Sequence, residues 1–359
     1  MLIIGCDFHP KFQQISMMDT TTGETKKRRL DHTAEAEAFY RSLRGQTVRI
    51  GLEATGSYGW FRRLLQECGH ELWLGDPAAI HAANPRKQRN DKRDADCMLT
   101  LLHENRFPQV WMRPAEAEDL RQLLVHRIRM VQIRTKLKNQ LDSMAKNEGL
   151  ITGHAWRPNT RPQLEALSLP PWYDRRRRDL LDALDYFDQK IRPLTQAVEE
   201  AAQSDAQAAL LMTHPWVGPN LSLAFVVIVG PWQRFANGRH LGSYLGLIPC
   251  EDTSADKRRL GHITKQGNVL LRWLLTEAAQ HVHACEPAWH RLYGALLRRH
   301  QGKAGVAKVA VARKLAIRLY WMLRSGQDYE QIRATEPEPA QKGGKPGPKS
   351  GSERKQACA

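Results

Sequence analysis

Hydrophobic positions change period along this chain, and each change marks a different architecture. Leu2-Ile3-Ile4-Gly5-Cys6 is an apolar run that ends on the carboxylate of Asp7. Residues 12–18 read as a second strand, Asp19-Thr20-Thr21-Thr22-Gly23 as a turn, and residues 24–30 as a polar third strand pairing back. Thr33 is placed to cap a helix that runs to Arg44 and stops at Gly45. Residues 47–52 are apolar on both sides of the pleat, the pattern of a central or parallel strand, and they too end on a carboxylate, Glu53. Gly56 and Gly59 let the backbone turn before a helix through Cys68, and Leu72-Trp73-Leu74 gives a further strand. Hairpin strands followed by alternating β and α segments predict an α/β sheet with helices on its faces.

Helical spacing then takes over. The apolar residues Cys97, Met98, Leu101 and Leu102 follow the polar run Arg86-Lys87-Gln88-Arg89-Asn90-Asp91-Lys92-Arg93-Asp94-Ala95-Asp96. A helix here puts Asp91 and Asp94 on one face and turns Asp96 away. From Pro114 to about Lys146 the pattern is one long helix, with Glu116, Glu118 and Asp119 in its first turn and Leu120, Leu124, Ile128, Val131, Leu141 and Met144 in one stripe. A Pro- and Gly-rich break covers residues 149–171. From about Arg175, Leu180, Leu184, Phe187, Ile191, Leu194 and Val198 recur at 4-3 spacing, a coiled-coil seam with Pro193 as a kink site. The two long helices read as an antiparallel hairpin or as part of an intermolecular bundle.

Residues 210–330 are mostly helical. Pro215-Trp216-Val217-Gly218-Pro219 joins two apolar helices, the second over 221–229. The turn resembles a helix-hairpin-helix whose backbone N–H groups at Gly218 can meet a phosphate, with an ordinary helix pair as the plain alternative. A helix over 239–246 leads through Leu247-Ile248-Pro249 into a polar loop, Glu251-Asp252-Thr253-Ser254-Ala255-Asp256-Lys257-Arg258-Arg259. Hydroxyls beside three bases make this loop a candidate phosphate or nucleophile site. Helices over 270–282 and 306–323 complete the all-α part.

Charge changes what the acids mean. Lys+Arg number 54 against 38 Asp+Glu, a net charge of +16 over 359 residues, which favours a polyanionic partner such as nucleic acid. Asp7 and Glu53 close apolar strands, where an uncompensated carboxylate costs several kcal/mol. With Asp91 and Asp94 they form a four-acid set suited to Mg²⁺ or Mn²⁺. Two such ions about 3.5–4 Å apart can serve the attacking and leaving oxygens of a phosphodiester. A glycosidase-type acid pair would leave the basic excess without a purpose. The six cysteines are scattered with no C-x-x-C pair, which argues against a zinc ribbon or disulfide framework and fits a reducing cytosol. No apolar run reaches the ~18 residues of a membrane span, and the first strand lacks the flanks of a signal peptide. A cytoplasmic, nucleoid-associated bacterial protein without membrane contact is expected.

Taken in order, the motifs resemble a known family. Gly5-Cys6-Asp7-Phe8-His9, Glu53-Ala54-Thr55-Gly56, Asp91–Ala95, Gly246–Pro249, the Ser-bearing loop to Lys257, and Gly261–Asn268 are similar to those of DEDD transposases. These are RuvC-like recombinases of the insertion-sequence family numbered one hundred and ten, and the likeness covers residues 1 to about 325. It implies an RNase H-like domain over 1–112 and a coiled-coil arm over 113–208. A helical transposase domain over 209–328 and a disordered basic tail over 329–359, with no core former after about Thr335, complete the chain. The implied metal ligands are Asp7, Glu53, Asp91 and Asp94, and the implied nucleophile is Ser254, with Thr253 beside it. Nucleic acid would meet Arg86, Lys87, Arg89, Lys92, Arg93, Gly218, Lys257, Arg258, Arg259 and Lys265.

The implied activity is cutting and rejoining double-stranded DNA at element ends and target, selected by a structured bridge RNA. The implied assembly is a homodimer or homotetramer in which acids of one subunit meet the serine of another. This chain departs from the pattern in carrying Trp216 where the hairpin turn has its first Gly, and Ala255-Asp256 where Gly-Gly follows the serine. Two further readings fit part of the sequence: a metal-dependent resolvase-like nuclease that uses water, and a non-catalytic nucleic-acid-binding protein.

Overall fold

The computed structural model describes residues 1–54, 56, 58–84, 90–150, 153–252, 259–285 and 287–335. The chain divides into two compact units, Met1–Pro114 and Ala115–Ala359. The first holds β1 (Leu2–Phe8), β2 (Phe12–Asp19), β3 (Thr25–Asp31), α1 (Glu35–Ser42), β4 (Val48–Glu53), α2 (Gly59–Cys68), β5 (Glu71–Gly75), α3 (Pro77–Ala83), α4 (Asp91–His103) and β6 (Gln109–Val110). Its six-stranded sheet has the order β3-β2-β1-β4-β5-β6. The pairs β1–β2 and β2–β3 are antiparallel, β1–β4 and β4–β5 parallel, and β5–β6 antiparallel.

Alternation along β1 assigns its two faces. Ile4 and Cys6 pack with Ile15, Ile50, Leu52, Tyr40 of α1 and Phe61 of α2. Ile3 packs on the opposite face with Ile80, Met98, Leu99, Leu102 and Phe107. That second face carries α4, and glycine admits it. A Cβ at Gly5 would lie 2.3 Å from Ala95 O and 2.4 Å from Leu99 N, so the helix backbone rests directly on the strand. Gly51, in register with Gly5, and Gly75 make the same room for Leu102, Phe107 and Ile80.

Local signals differ from expectation in two places. Thr33 does not cap α1; the cap position is Ala34, with no side-chain bond, and Glu35 instead accepts from Asp31 N and Arg28. The short helix α3 was not foreseen, although its start is well marked. Asp76 accepts from Ala79 N at 2.9 Å and Pro77 follows at the first helical position.

The second unit holds α5 (Ala115–Asn147), α6 (Arg161–Glu165), α7 (Pro171–Ser204), α8 (Ala206–Met212), α9 (Pro219–Val229) and α10 (Gly238–Tyr244). The two-stranded ribbon β7 (Pro249–Glu251) and β8 (Leu260–Ile263) follows, then α11 (Val269–Cys285), α12 (Pro287–Arg299), α13 (Ala304–Ser325) and α14 (Tyr329–Thr335). The helices α5 and α7 run antiparallel, since Arg127 bonds Thr195 at 3.2 Å and Arg134 bonds Asp188 at 2.9 Å. Along α7, Leu180, Leu184, Ile191 and Val198 are buried, while Phe187 and Leu194 are half-buried. One end of the pair has a local core of Leu141, Met144, Leu164, Leu180, Leu181 and Leu184. At the other end Leu124, Ile128, Val198 and Ala202 join the main core with α9, α11 and α13.

Three expectations are corrected here. The second long helix starts at Pro171, not near Arg175, and α6 lies within the break before it. The ribbon β7–β8 stands where only a polar loop was expected, and α12 was not foreseen. The tail does not begin at 329. Tyr329 and Ile332, three apart on α14, are only 2% and 6% exposed and belong to the main core. The remainder of that expectation, residues 336–359, lies outside the described residues. Among the described residues, no helix is long and apolar enough to cross a membrane.

Candidate functional site

Parallel pairing of β1 with β4 brings their two terminal acids to the same edge of the sheet. Cys6 is in register with Leu52, so Asp7 and Glu53 are the next residues of neighbouring strands. Asp7 shares the face of Gly5, two residues before it, and that face is the one α4 covers. Asn90 caps α4 by accepting from Arg93 N at 2.9 Å, which places Asp91 and Asp94 in the first turn. Asp7, Glu53 and Asp94 then line one cavity of about 40 Å³, with Ile80, His81, Asn84, Cys97 and Met98. That volume holds a small hydrated ion more readily than an organic ligand.

Asn84 and His9 hold Asp94, Asp7 and Asp91 in place. Asn84 donates from Nδ2 to Asp94 Oδ1 at 3.2 Å. His9 Nε2 lies 3.1 Å from Asp7 Oδ2 and 3.5 Å from Asp91 Oδ2, bridging β1 to the start of α4. One ligand atom from each of Asp7, His9 and Asp91 falls within 4.8 Å of the others. Burial pushes the Asp7 carboxyl above its ordinary value, His9 opposes this, and the charges of Asp91 and Asp94 add to the rise. No described Lys or Arg pairs with Asp7, Asp91 or Asp94. The carboxylates of Asp7, Asp91 and Asp94, with no Lys or Arg partner among the described residues, and the His9 imidazole suit a divalent metal. Asp96 faces elsewhere, as its spacing predicted: it accepts from Ser16 Oγ at 2.8 Å and pairs with Lys27 at 2.5 Å, tying α4 to β2 and β3.

His81 and Asn84 were not singled out from the sequence, and His9 stood in the Gly5–His9 motif without a role assigned to it. A role for His9 was legible in principle, because it follows Asp7 by two, just past the end of β1, where the spacing can bring both side chains together. His81 and Asn84 depend on α3. Of the expected nucleic-acid contacts near this centre, Lys92 and Arg93 are exposed on the first turn of α4. Arg86, Lys87 and Arg89 lie outside the described residues.

The second unit frames the polar loop. Residues 253–258, including Thr253, Ser254, Lys257 and Arg258, lie outside the described residues, but both stems are in place. Pro249 pairs with Ile263 and Glu251 with Leu260, and Asp252 N donates to Arg259 O at 2.9 Å. Beneath them the segments 244–247 and 264–268 interlock. Gly246 (φ 66°) leaves a Cβ position only 2.1 Å from Gln266 O, and Gly267 (φ 79°) one only 1.9 Å from Tyr244 O. Lys265 takes a left-handed φ of 55° with its N–H on Gly246 O at 3.2 Å. Arg272 bonds both Leu245 O and Gln266 O, and Asn268 accepts from Leu271 N at 3.0 Å to cap α11. Arg259 and Lys265 are therefore exposed on a fixed frame.

Gly218 occupies the cap position of α9, with nothing within 4 Å of where a Cβ would stand. Trp216, in place of glycine, is core: it is 8% exposed and packs edge-on against Trp289 at 5.3 Å.

These two sites coincide with the regions that comparison with known proteins picks out. The family model for DEDD transposases of the IS110 group matches residues 4–147, and the one described as the transposase IS116/IS110/IS902 family matches residues 208–294. A transposase of Sinorhizobium fredii is 30% identical over 300 residues, covering 79% of this chain and 74% of its own. The chain belongs to the IS110 family of DEDD transposases. This transposase is also 28% identical over 332 residues to a protein of Pseudomonas aeruginosa named as a family 20 transposase, covering 90% and 96% of the two chains. The transposase of insertion sequence element IS1111A from Coxiella burnetii is 27% identical over 242 residues, 65% of this chain and 66% of that one. As a member, the protein is an insertion-sequence DNA transposase, and the mixed sheet with its many helices fits the RNase H-like fold of such enzymes. Its family uses a divalent metal, for which the Asp7–His9–Asp91 group offers ligands.

Proposed function

We propose that this transposase cuts and rejoins DNA at element ends and target with Asp7, Glu53, Asp91 and Asp94 holding Mg²⁺ or Mn²⁺ and Ser254 as nucleophile. The observation that carries the metal part is the convergence of three of these acids on one cavity, with Asp91 joined to Asp7 through His9. A bound divalent ion supplies Lewis-acid polarisation of the phosphodiester. His9 sets the Asp7 and Asp91 carboxylates against one another, and Asn84 orients Asp94.

Support for Ser254 comes from the sequence motif and from the rigid stems on either side of its loop. A serine hydroxyl is a weak nucleophile until activated. In this reading its oxygen bonds to phosphorus as a P–O bond of the strand breaks. The strand end leaves as a hydroxyl, and the serine proton ends on that oxygen. The covalent link conserves bond energy for rejoining without water or ATP. Lys257, Arg258, Arg259 and Lys265 neutralise the flanking phosphates, with Arg86, Lys87, Arg89, Lys92, Arg93 and the Gly218 backbone adding contacts elsewhere. The antiparallel α5–α7 pair acts as a coiled-coil arm in a homodimer or homotetramer, and the turn before α9 as a helix-hairpin-helix. A structured guide RNA selects the DNA partners.

The deciding experiment traps a reaction and maps protein–DNA adducts by peptide mass spectrometry. An adduct on Ser254 that vanishes in Ser254→Ala is expected, as is loss of cutting with retained DNA binding in Asp7→Ala. Mixing Asp7→Ala with Ser254→Ala protein restores activity if subunits share a site. Free phosphate ends without any adduct would establish the water-using nuclease instead.

A further inference from the structure

The end of the α5–α7 pair that lies away from the main core carries aromatic surface with no use inside the protein. Trp172 is 84% exposed and Tyr173 45% exposed, and neither makes a hydrogen bond or ring contact with a described residue. They stand about 39 Å along α7 from Val198, where the helix joins the main core, at 1.5 Å per residue. Exposed tryptophan is costly to keep in water, and a pair of adjacent exposed aromatics is a recognisable contact feature.

The pair is also held rigidly. Arg177, one turn on, is buried and donates from Nη1 to Leu164 O at 2.8 Å and Leu167 O at 2.9 Å, pinning the start of α7 onto the segment around α6. The local core of Leu164, Leu180 and Leu181 lies beneath. The rings therefore project from a fixed base and are not a frayed helix end.

The surroundings are cationic. Residues 136–178 contain nine Lys/Arg against four Asp/Glu. Arg175 and Arg178 are engaged with Asp179 and Asp174, but Arg176, four residues from Trp172 and three from Tyr173, is exposed and has no hydrogen bond or ion pair among the described residues. Flat apolar faces beside a free guanidinium match unpaired nucleotides, whose bases stack and whose phosphates are anionic. Duplex DNA hides its base faces, so it would use only the cations.

We propose that this arm tip is a stacking platform for unpaired DNA bases, binding single-stranded segments exposed while the substrate strands are exchanged. The inference rests on the protein being a DNA transposase and not on the chemistry assigned to its acid centre. The test uses the full chain in EDTA, so that cutting does not intervene. Fluorescence anisotropy would compare a single-stranded oligothymidylate, a blunt duplex of equal length and a single-stranded oligouridylate.

Trp172→Ala/Tyr173→Ala should weaken oligothymidylate binding at least about fivefold, the loss of one stacked base or more, while duplex affinity changes by less than about twofold. Trp172→Phe/Tyr173→Phe should retain most of the single-strand affinity. Unchanged oligothymidylate binding in the double alanine variant would overturn the proposal, as would a loss confined to oligouridylate. A fall in sedimentation mass with single-strand affinity intact would make the tip a contact between copies and equally end it. Every probe is read as binding in EDTA, with no cutting step, which separates failure here from failure of the acid centre.

Discussion

Gly5→Ala is the substitution through which the geometry of the acid centre is most directly tested. The added methyl would sit 2.3 Å from Ala95 O and 2.4 Å from Leu99 N, where ordinary contact begins at 3.4 Å. Both neighbours are helix backbone, so no side chain can swing aside. The helix α4 must lift by about 1 Å, and overpacking of this kind costs about 1–3 kcal/mol. The lift also carries Asp91 and Asp94 away from Asp7 and Glu53. A misplacement near 1 Å can cost about 10²-fold in rate.

Thermal melting, Mn²⁺ titration by calorimetry and strand cutting should therefore all suffer together. Gly51→Ala meets only the side chains of Leu102 and Phe107, at 2.8 and 2.9 Å, and should cost less. Gly59→Ala, whose nearest neighbour is Arg63 at 3.9 Å, should be neutral or slightly stabilising. A Gly5→Ala protein that melts, binds Mn²⁺ and cuts like wild type would refute the claim that α4 is seated on β1 by the missing side chain.

Further outcomes follow from the same physics. The Asp7 pKa is raised in the folded protein, so its contribution to stability is present below the ordinary 3.8 and is lost as pH rises through the raised value. In EDTA at neutral pH, Asp7→Asn should thus melt above wild type, with the gap closing toward pH 3.8; coincident melts at neutral pH would contradict this. Burial, with Arg318 adding, lowers His214 from 6.5 to about 3, so the helical unit should lose stability as pH falls through that window. The loss is at most about 5 kcal/mol, and His214→Phe should flatten the acid limb of a pH–melting curve. Gly267→Ala adds a methyl 1.9 Å from Tyr244 O at a φ of 79°. It should abolish cutting while Mn²⁺ binding by calorimetry stays as in wild type.

What the sequence disclosed, and what it did not, follows from how far each signal reaches. The placing of Asp7 and Glu53 at strand ends was legible because each acid closes a continuous apolar run of a few residues. Asp91 and Asp94 were legible as a helical pair. That all of them meet depends on Gly5, Gly51 and Gly75, which carry no pattern of their own and matter only once the strands lie side by side. The ribbon β7–β8 was missed because its strands are three and four residues long and largely exposed, too short to show alternation. The helix α14 was missed because two buried residues, Tyr329 and Ile332, are all that distinguish it from the polar sequence beyond.

The two outer strands of the sheet have a consequence for how copies of the protein meet one another. A bare strand edge offers unpaired N–H and C=O groups to any neighbouring chain. On one side β3 carries Lys26, Lys27, Arg28 and Arg29 in succession, each beside an acid of its own chain, so pairing with a second copy would have to accommodate a crowded row of charged side chains. On the other side β6 is two residues long, too short to template a partner. Both edges thus carry devices that disfavour strand-to-strand pairing between sheets, one by charge and one by brevity.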